Sequence, residues 1–199
     1  TDGSGNLSWI DGSAATGSVN AYLDLTDTPG TFTASAIPFT KTGGTALLHS
    51  SGLTFDDTND ILTVGDIDIF NRGTSNTFVG QSAGNTTQTG NSNTALGVQT
   101  GTALTSGAQN VFVGSTAGQS ATTDLYSTFV GHNAGRNTAG QTYNTFVGWG
   151  AGQNTQDTDN TFIGAGAGFN NTTGRFNTFL GRAGQGNTEG DNNIIIGYL

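Results

Sequence analysis

Cysteine and methionine are both missing from this chain of 199 residues, and cations are scarce, with five Lys and Arg against fourteen Asp and Glu. The lack of Cys excludes disulfides and thiolate-bound metals, and leaves the compartment open. With so few cations there is no basic patch, so nucleic acid is not an expected partner. No apolar run approaches the roughly 18 residues of a membrane-spanning helix, so no membrane insertion is expected of this segment. There is no secretory leader pattern at Thr1, and a start without Met leads us to expect a fragment or a processed chain. Apolar residues make up only 33% of the sequence, against roughly 45–50% in ordinary domains. Such a chain is either disordered or buries its few apolar groups by repetition.

Charge is unevenly spread. Residues 1–70 hold nine acids and one base, Lys41, for a net of −8; residues 71–199 hold five acids and four bases, for a net of −1. The two parts read as separate modules, 1–70 and 71–199.

What the sequence has in abundance is glycine, 33 residues, placed periodically. Asn76-Thr77-Phe78-Val79-Gly80 returns seven times in related form, through Asn144-Thr145-Phe146-Val147-Gly148 to Asn193-Ile194-Ile195-Ile196-Gly197, at steps of 16 or 17 residues. That is seven full coils and a truncated eighth ending at Leu199. A second Gly follows four residues after the first in six coils (Gly84, Gly101, Gly118, Gly135, Gly152, Gly168) and three after it in the seventh, at Gly184. A recurring Gly implies a tight turn or a close backbone approach. The period is too short for helix pairs or propeller blades. It suits one coil of a parallel β-roll or solenoid, and seven coils at about 4.8 Å each would make a body roughly 35 Å long. The recurring Asn would stack as an amide ladder along the axis.

Alternate strand residues face opposite ways, yet Phe78 and Val79 both head apolar columns. One column fills the roll and the other needs a cover. The remaining half of each coil, as in Asn85-Thr86-Thr87-Gln88-Thr89, is polar and offers none. The Phe column (Phe78, Phe112, Phe129, Phe146, Phe162, Phe179) is expected outside, with the Thr77 and Val79 columns inward. Six exposed rings at ~150–250 Å² each would leave on the order of 1,000 Å² uncovered, beyond the ~300–600 Å² patch of a typical monomer. Self-association through that column is the expected consequence.

The Asn-x-x-x-Gly-x-x-Ala-Gly coil over residues 76–199 resembles the YadA-like head repeats of trimeric autotransporter adhesins, and more closely repeats in bacteriophage tail-fibre proteins. It differs from adhesin heads in coil length and in carrying Phe where they have a small residue. The resemblance implies a left-handed parallel β-roll forming a homotrimer. It also implies a structural role in host or surface attachment, in a virion or at a cell surface, with other fibre or tail proteins as partners. Residues 1–70 lack the repeat. Ala21-Tyr22-Leu23-Asp24-Leu25, Thr31-Phe32-Thr33, Gly52-Leu53-Thr54-Phe55 and Ile61-Leu62-Thr63-Val64 alternate between turn residues, the last two as a hairpin or strand connection. This part is similar to phage fibre shafts and is expected to be an extended β connector.

No residue pattern points to catalysis or a cofactor, and the chain is expected not to be an enzyme. Gly80-Gln81-Ser82-Ala83-Gly84 fits G-x-S-x-G, but the repeat accounts for it: the Ser position is Gln99, Thr116, Asn133 or Gly150 elsewhere, and no strand-to-helix elbow is expected. His49 and His132 lie in different modules, which argues against a histidine metal site. Asp56, Asp57 and Asp60 lack the spacing of a calcium loop and, with Asp66 and Asp68, read as solvated turns. The Thr77 column suggests ice binding as an alternative role. Trp149, with His132 one coil before and Arg182 two coils on, forms a candidate glycan contact, since stacked turns would align them about 5–10 Å apart; packing on a neighbouring copy is the competing role for Trp149.

Overall fold

The structure is a computed structural model that describes residues 38–40, 47–49, 53–56, 61–64, 66–70 and 75–198. All of its regular elements are strands. β1 (Pro38–Thr40) and β2 (Leu47–His49) form an antiparallel pair. β3 (Leu53–Asp56), β4 (Ile61–Val64) and β5 (Ile67–Phe70) form an antiparallel meander, which matches the expected hairpin. Eight strands of three residues follow: β6 (Thr77–Val79), β7 (Thr94–Leu96), β8 (Val111–Val113), β9 (Thr128–Val130), β10 (Thr145–Val147), β11 (Thr161–Ile163), β12 (Thr178–Leu180) and β13 (Ile194–Ile196). Each pairs in parallel with the next, in strict column register. This is a parallel β-solenoid with one coil per sequence repeat. The meander belongs to the same eleven-stranded sheet, because β5 pairs antiparallel with β6. Residues 1–37 lie outside the described residues, so the expected connector is described only in part.

The interior is the reverse of the sequence expectation. Phe78, Phe112, Phe129, Phe146, Phe162 and Phe179 are each 0% exposed within the single chain. They fill the roll and are not an interface between copies. The rings from Phe112 to Phe179 stack in an unbroken pile, with centroids 4.7–5.1 Å apart and planes within 13°. That spacing is the strand repeat itself, so each coil adds one ring to the pile. Phe70 of β5 closes the N-terminal end, 5.0 Å from Phe78. Coil two carries Ala95 in the Phe column, and Leu104 of that coil is buried in the same core.

The second Gly of each coil makes room for the ring. A Cβ on Gly152 would lie 2.5 Å from the Phe146 ring, and the residue's φ is +57°. The first Gly serves the stacking: a Cβ on Gly114 would lie 2.6 Å from the carbonyl oxygen of Gly131 in the next coil. Neither wall admits a side chain, which is why the two Gly columns recur.

Asn shares the inward face with Phe, two residues away. Its amide does not mainly stack on the next amide. Instead Oδ1 accepts the backbone N–H of the following Asn (Asn93 to Asn76 at 2.7 Å, Asn160 to Asn144 at 2.9 Å), and Nδ2 donates to a carbonyl across its own coil (Asn93 to Gly107 at 2.8 Å, Asn160 to Gly174 at 2.9 Å). Direct amide-to-amide bonds occur at Asn110–Asn93 and Asn193–Asn177. Each of these ladder amides thus joins two walls and two coils, and its own buried polar atoms are hydrogen-bonded. The polar half of the coil is also not uniformly solvated, since Gln88 is buried.

Phe146→Ala is expected to cost roughly 3–5 kcal/mol, the range for a large aromatic lost from a core, and Phe146→Asp to prevent folding. Gln88→Asp, at a buried site, is expected to destabilise as well. Denaturant melts followed by circular dichroism check all three.

Candidate functional site: the outer strand face and its borders

With Asn and Phe inside, the residues between them point out. Thr77, Thr94 and Thr178 are exposed and Thr128, Thr145 and Thr161 half-buried, so the Thr column does not face a packed interior. Beside it runs the aliphatic column. Leu96 is 47% exposed, Leu180 45% and Ile196 71%, while Val79, Val113, Val130 and Val147 are half-buried. The column continues into the meander, because Ile69 of β5 sits opposite Val79. The result is a flat face of alternating Thr and aliphatic ranks, with no charged residue in either rank of the eight parallel strands.

Two corner columns border this face, two residues before and two after each strand. The first reads Ser75, Ser92, Gln109, Tyr126, Tyr143, Asp159, Phe176 and Asn192, all at φ near +60°. Left-handed backbone costs a non-Gly residue about 1–2 kcal/mol, and bulky residues are uncommon there. Yet Tyr126, Tyr143 and Phe176 occupy it with their rings exposed. Tyr126 and Tyr143 stack at 5.0 Å with planes 4° apart. Sequence reading passed over these three; the signal lay in their sharing one column two residues before each strand.

The second corner holds the candidate glycan residues. His132, Trp149 and Arg182 do share one exposed column, one coil apart for the first two and two coils on for the third. Main-chain bonds carry the column upward, from Gly150 N–H to the His132 carbonyl at 2.9 Å and from Gly166 N–H to the Trp149 carbonyl at 2.7 Å. Their side chains do not converge. Trp149 lies 6.2 Å from the Phe169 ring, and Arg182 donates to the Tyr198 hydroxyl at 3.3 Å with its guanidinium 5.4 Å from that ring's centre.

The other candidates stay apart. Ser82 sits at φ +54° in a turn with no helix after it, so the G-x-S-x-G match makes no nucleophile elbow. His132 is three coils from it. Asp68 accepts a bond from the Thr63 hydroxyl at 3.0 Å, Asp66 is exposed, and Asp57 and Asp60 lie outside the described residues, as do the side chains of His49 and Asp56. Among the described residues no three His, Cys, Asp or Glu gather to hold a metal.

Asp124, which sequence reading also missed, is fully buried in the polar half of the third coil. Its Oδ1 accepts the Gly140 N–H, while Oδ2 has no hydrogen-bond partner. Burial raises its pKa above the ordinary carboxylate value, against the opposing effect of hydrogen bonds led by that of Gly140. A carboxyl whose folded pKa is raised favours the folded state below the unfolded value of about 3.9, and that contribution is lost as pH rises through the folded pKa. Asp124→Asn, which mimics the neutral acid, is therefore expected to raise the melting temperature at pH 7. Its advantage over the wild type should shrink steadily towards pH 4 in parallel thermal melts.

Fold and surface together define a parallel β-solenoid repeat protein with one flat Thr-aliphatic face. Comparison with family models, with curated proteins and with solved structures returns no match for this chain.

Proposed function

We propose that this chain is a structural segment of a homotrimeric fibre, of the phage tail-fibre or surface-adhesin kind, in which three copies bury their outer strand faces against one another. The observation that carries this reading is the outward-facing aliphatic column, exposed or half-buried from Ile69 through Val79 to Ile196. The self-association argument survives the reversal of the core: the surplus apolar face is the Val and Thr face in place of the Phe face. Eight strands at about 4.8 Å give a length of ~38 Å, and a width of ~20 Å with the corners included makes on the order of 800 Å². A standard interface buries about 800 Å² per partner. Neither rank of the face carries a charge that burial would strand.

A fibre segment works by geometry. It holds whatever lies at its end away from its base, and coil-to-coil hydrogen bonding supplies the stiffness. This role calls for no cofactor and no catalysis, and we assign none. A virion or extracellular setting, attachment to a host or surface, and fibre or tail proteins as further partners belong to the same proposal. A surface glycan is a candidate ligand for the Trp149 column.

The outward Thr rank favours a second reading, an ice-binding solenoid. A regular, flat, exposed Thr array is what such a surface needs, and here half of the ranks flanking it are aliphatic.

Light scattering is expected to give three times the 20.2 kDa chain mass. Val147→Asp, facing out, should leave the circular dichroism spectrum unchanged and convert the trimer to monomer, in contrast to Phe146→Asp. No thermal hysteresis is expected of the wild type. A monomeric wild type with hysteresis that Thr145→Tyr removes would overturn the fibre reading in favour of ice binding.

A further inference from the structure

We propose that the corner before the strand in one copy packs on the corner after the strand in the next copy, level by level. Tyr126 then meets the partner's His132, Tyr143 meets the partner's Trp149, and Phe176 meets the partner's Arg182. This rests on the trimeric reading above and deepens it, by saying which borders of the face join and in what register.

Five observations carry the pairing. In coils four, five and seven the large residues of the two corners coincide, while in the eighth Tyr198 stands level with Asn192. Where the first corner has Tyr126, Tyr143 or Phe176, the second has His132, Trp149 or Arg182; where the first has Asp159, the second has Ala165. The two corners lie on opposite borders of a three-residue strand, six residues apart in each coil, so the face separates them within one chain. Only a neighbouring copy can bring them together.

The repeat distance selects the partner. The Tyr126 and Tyr143 rings stand 5.0 Å apart, as the core rings do. A surface that matches such a column over several coils must itself repeat at that spacing, and another copy of this stack does. A rotation about an axis parallel to the stack keeps every coil at its own height, so equal levels meet. Joining two different borders head to tail gives a closed ring when the rotation closes, which in the trimeric reading is at three.

The chemistry of each level is also compatible. Tyr with His and Tyr with Trp are flat aromatic contacts, and the guanidinium of Arg182 can lie over a phenylalanine face as it already lies over Tyr198. Finally, Tyr126, Tyr143 and Phe176 are held at positive φ with about half their surface exposed, and Trp149 in the other corner is 55% exposed. Burial against the neighbouring copy offsets that strain.

The absence of cysteine makes the test clean. Packed rings hold their Cβ atoms farther apart than the ~4 Å a disulfide requires, so a short bismaleimide is the linker of choice. The double variant Tyr143→Cys/Trp149→Cys, confirmed as a trimer by light scattering, should yield a covalent band at three times the chain mass. Each single variant should stay at one chain mass. A second pair, Tyr126→Cys/His132→Cys, leaves the Tyr143–Trp149 level intact and should give the same result. A trimer that yields no cross-linked band from either pair would overturn the corner pairing while sparing the trimer. Covalent dimers from Tyr143→Cys alone would also overturn it, since like corners would then meet. A wild-type chain that scatters as a monomer would remove the trimeric reading itself.

Discussion

One phenylalanine ring per coil, set against a glycine, governs this structure. A coil of sixteen or seventeen residues encloses little space, and the ring fills it only if the facing wall carries no side chain. Hence Gly152 opposite Phe146, and a Gly in the same place in six other coils. The ring pile and the strand ladder share one spacing, so aromatic stacking and backbone hydrogen bonding grow together as coils are added. Coil two shows the constraint from the other side. Ala95 stands in the ring's place there, and the same coil buries Leu104 in the core.

The low apolar content follows from the same narrowness. A core one ring wide needs few apolar groups, and its polar remainder must be hydrogen-bonded. Asn does this with one amide, taking a backbone N–H from the next coil and giving a proton to a carbonyl across its own. Where coil four substitutes Ser127, the ladder continues through a hydroxyl with a longer bond, from Asn144 N–H at 3.4 Å. Asp124 lies near this interruption, its carbonyl accepts a hydrogen bond from the Asn110 amide, and burial of its carboxyl makes ionisation costly.

A core sealed in this way leaves the outward ranks free of any duty to the fold. Thr and Val at the strand ends, and the corner residues beyond them, contribute little to holding a coil closed. Their regularity is then a property of the surface, and the functional proposal rests there. The corners vary from coil to coil while the interior barely does, from Ser75 to Tyr143 on one border and from Ala165 to Trp149 on the other.

Much of this was legible beforehand. The period, the parallel coil, the two Gly columns and the surplus of apolar ranks all follow from residue spacing, because a 17-residue step admits few ways to stack. Which rank lies inside did not follow, since alternation assigns Phe78 and Val79 to opposite faces without saying which face is which. Two clues were present in the residues. Asn76 shares parity with Phe78, and a buried Asn is satisfied only where carbonyls surround it; and Ala95 coincides with Leu104, a pairing that has meaning only in an enclosed space. The sequence by itself determined the repeat and the ladder that the repeat must form. Closure of the coil decided the rest: the facing wall of glycine accepts a ring and leaves no room for an outward-turned alternative, and that choice put the Thr and Val ranks, with the aromatic corners, on the surface.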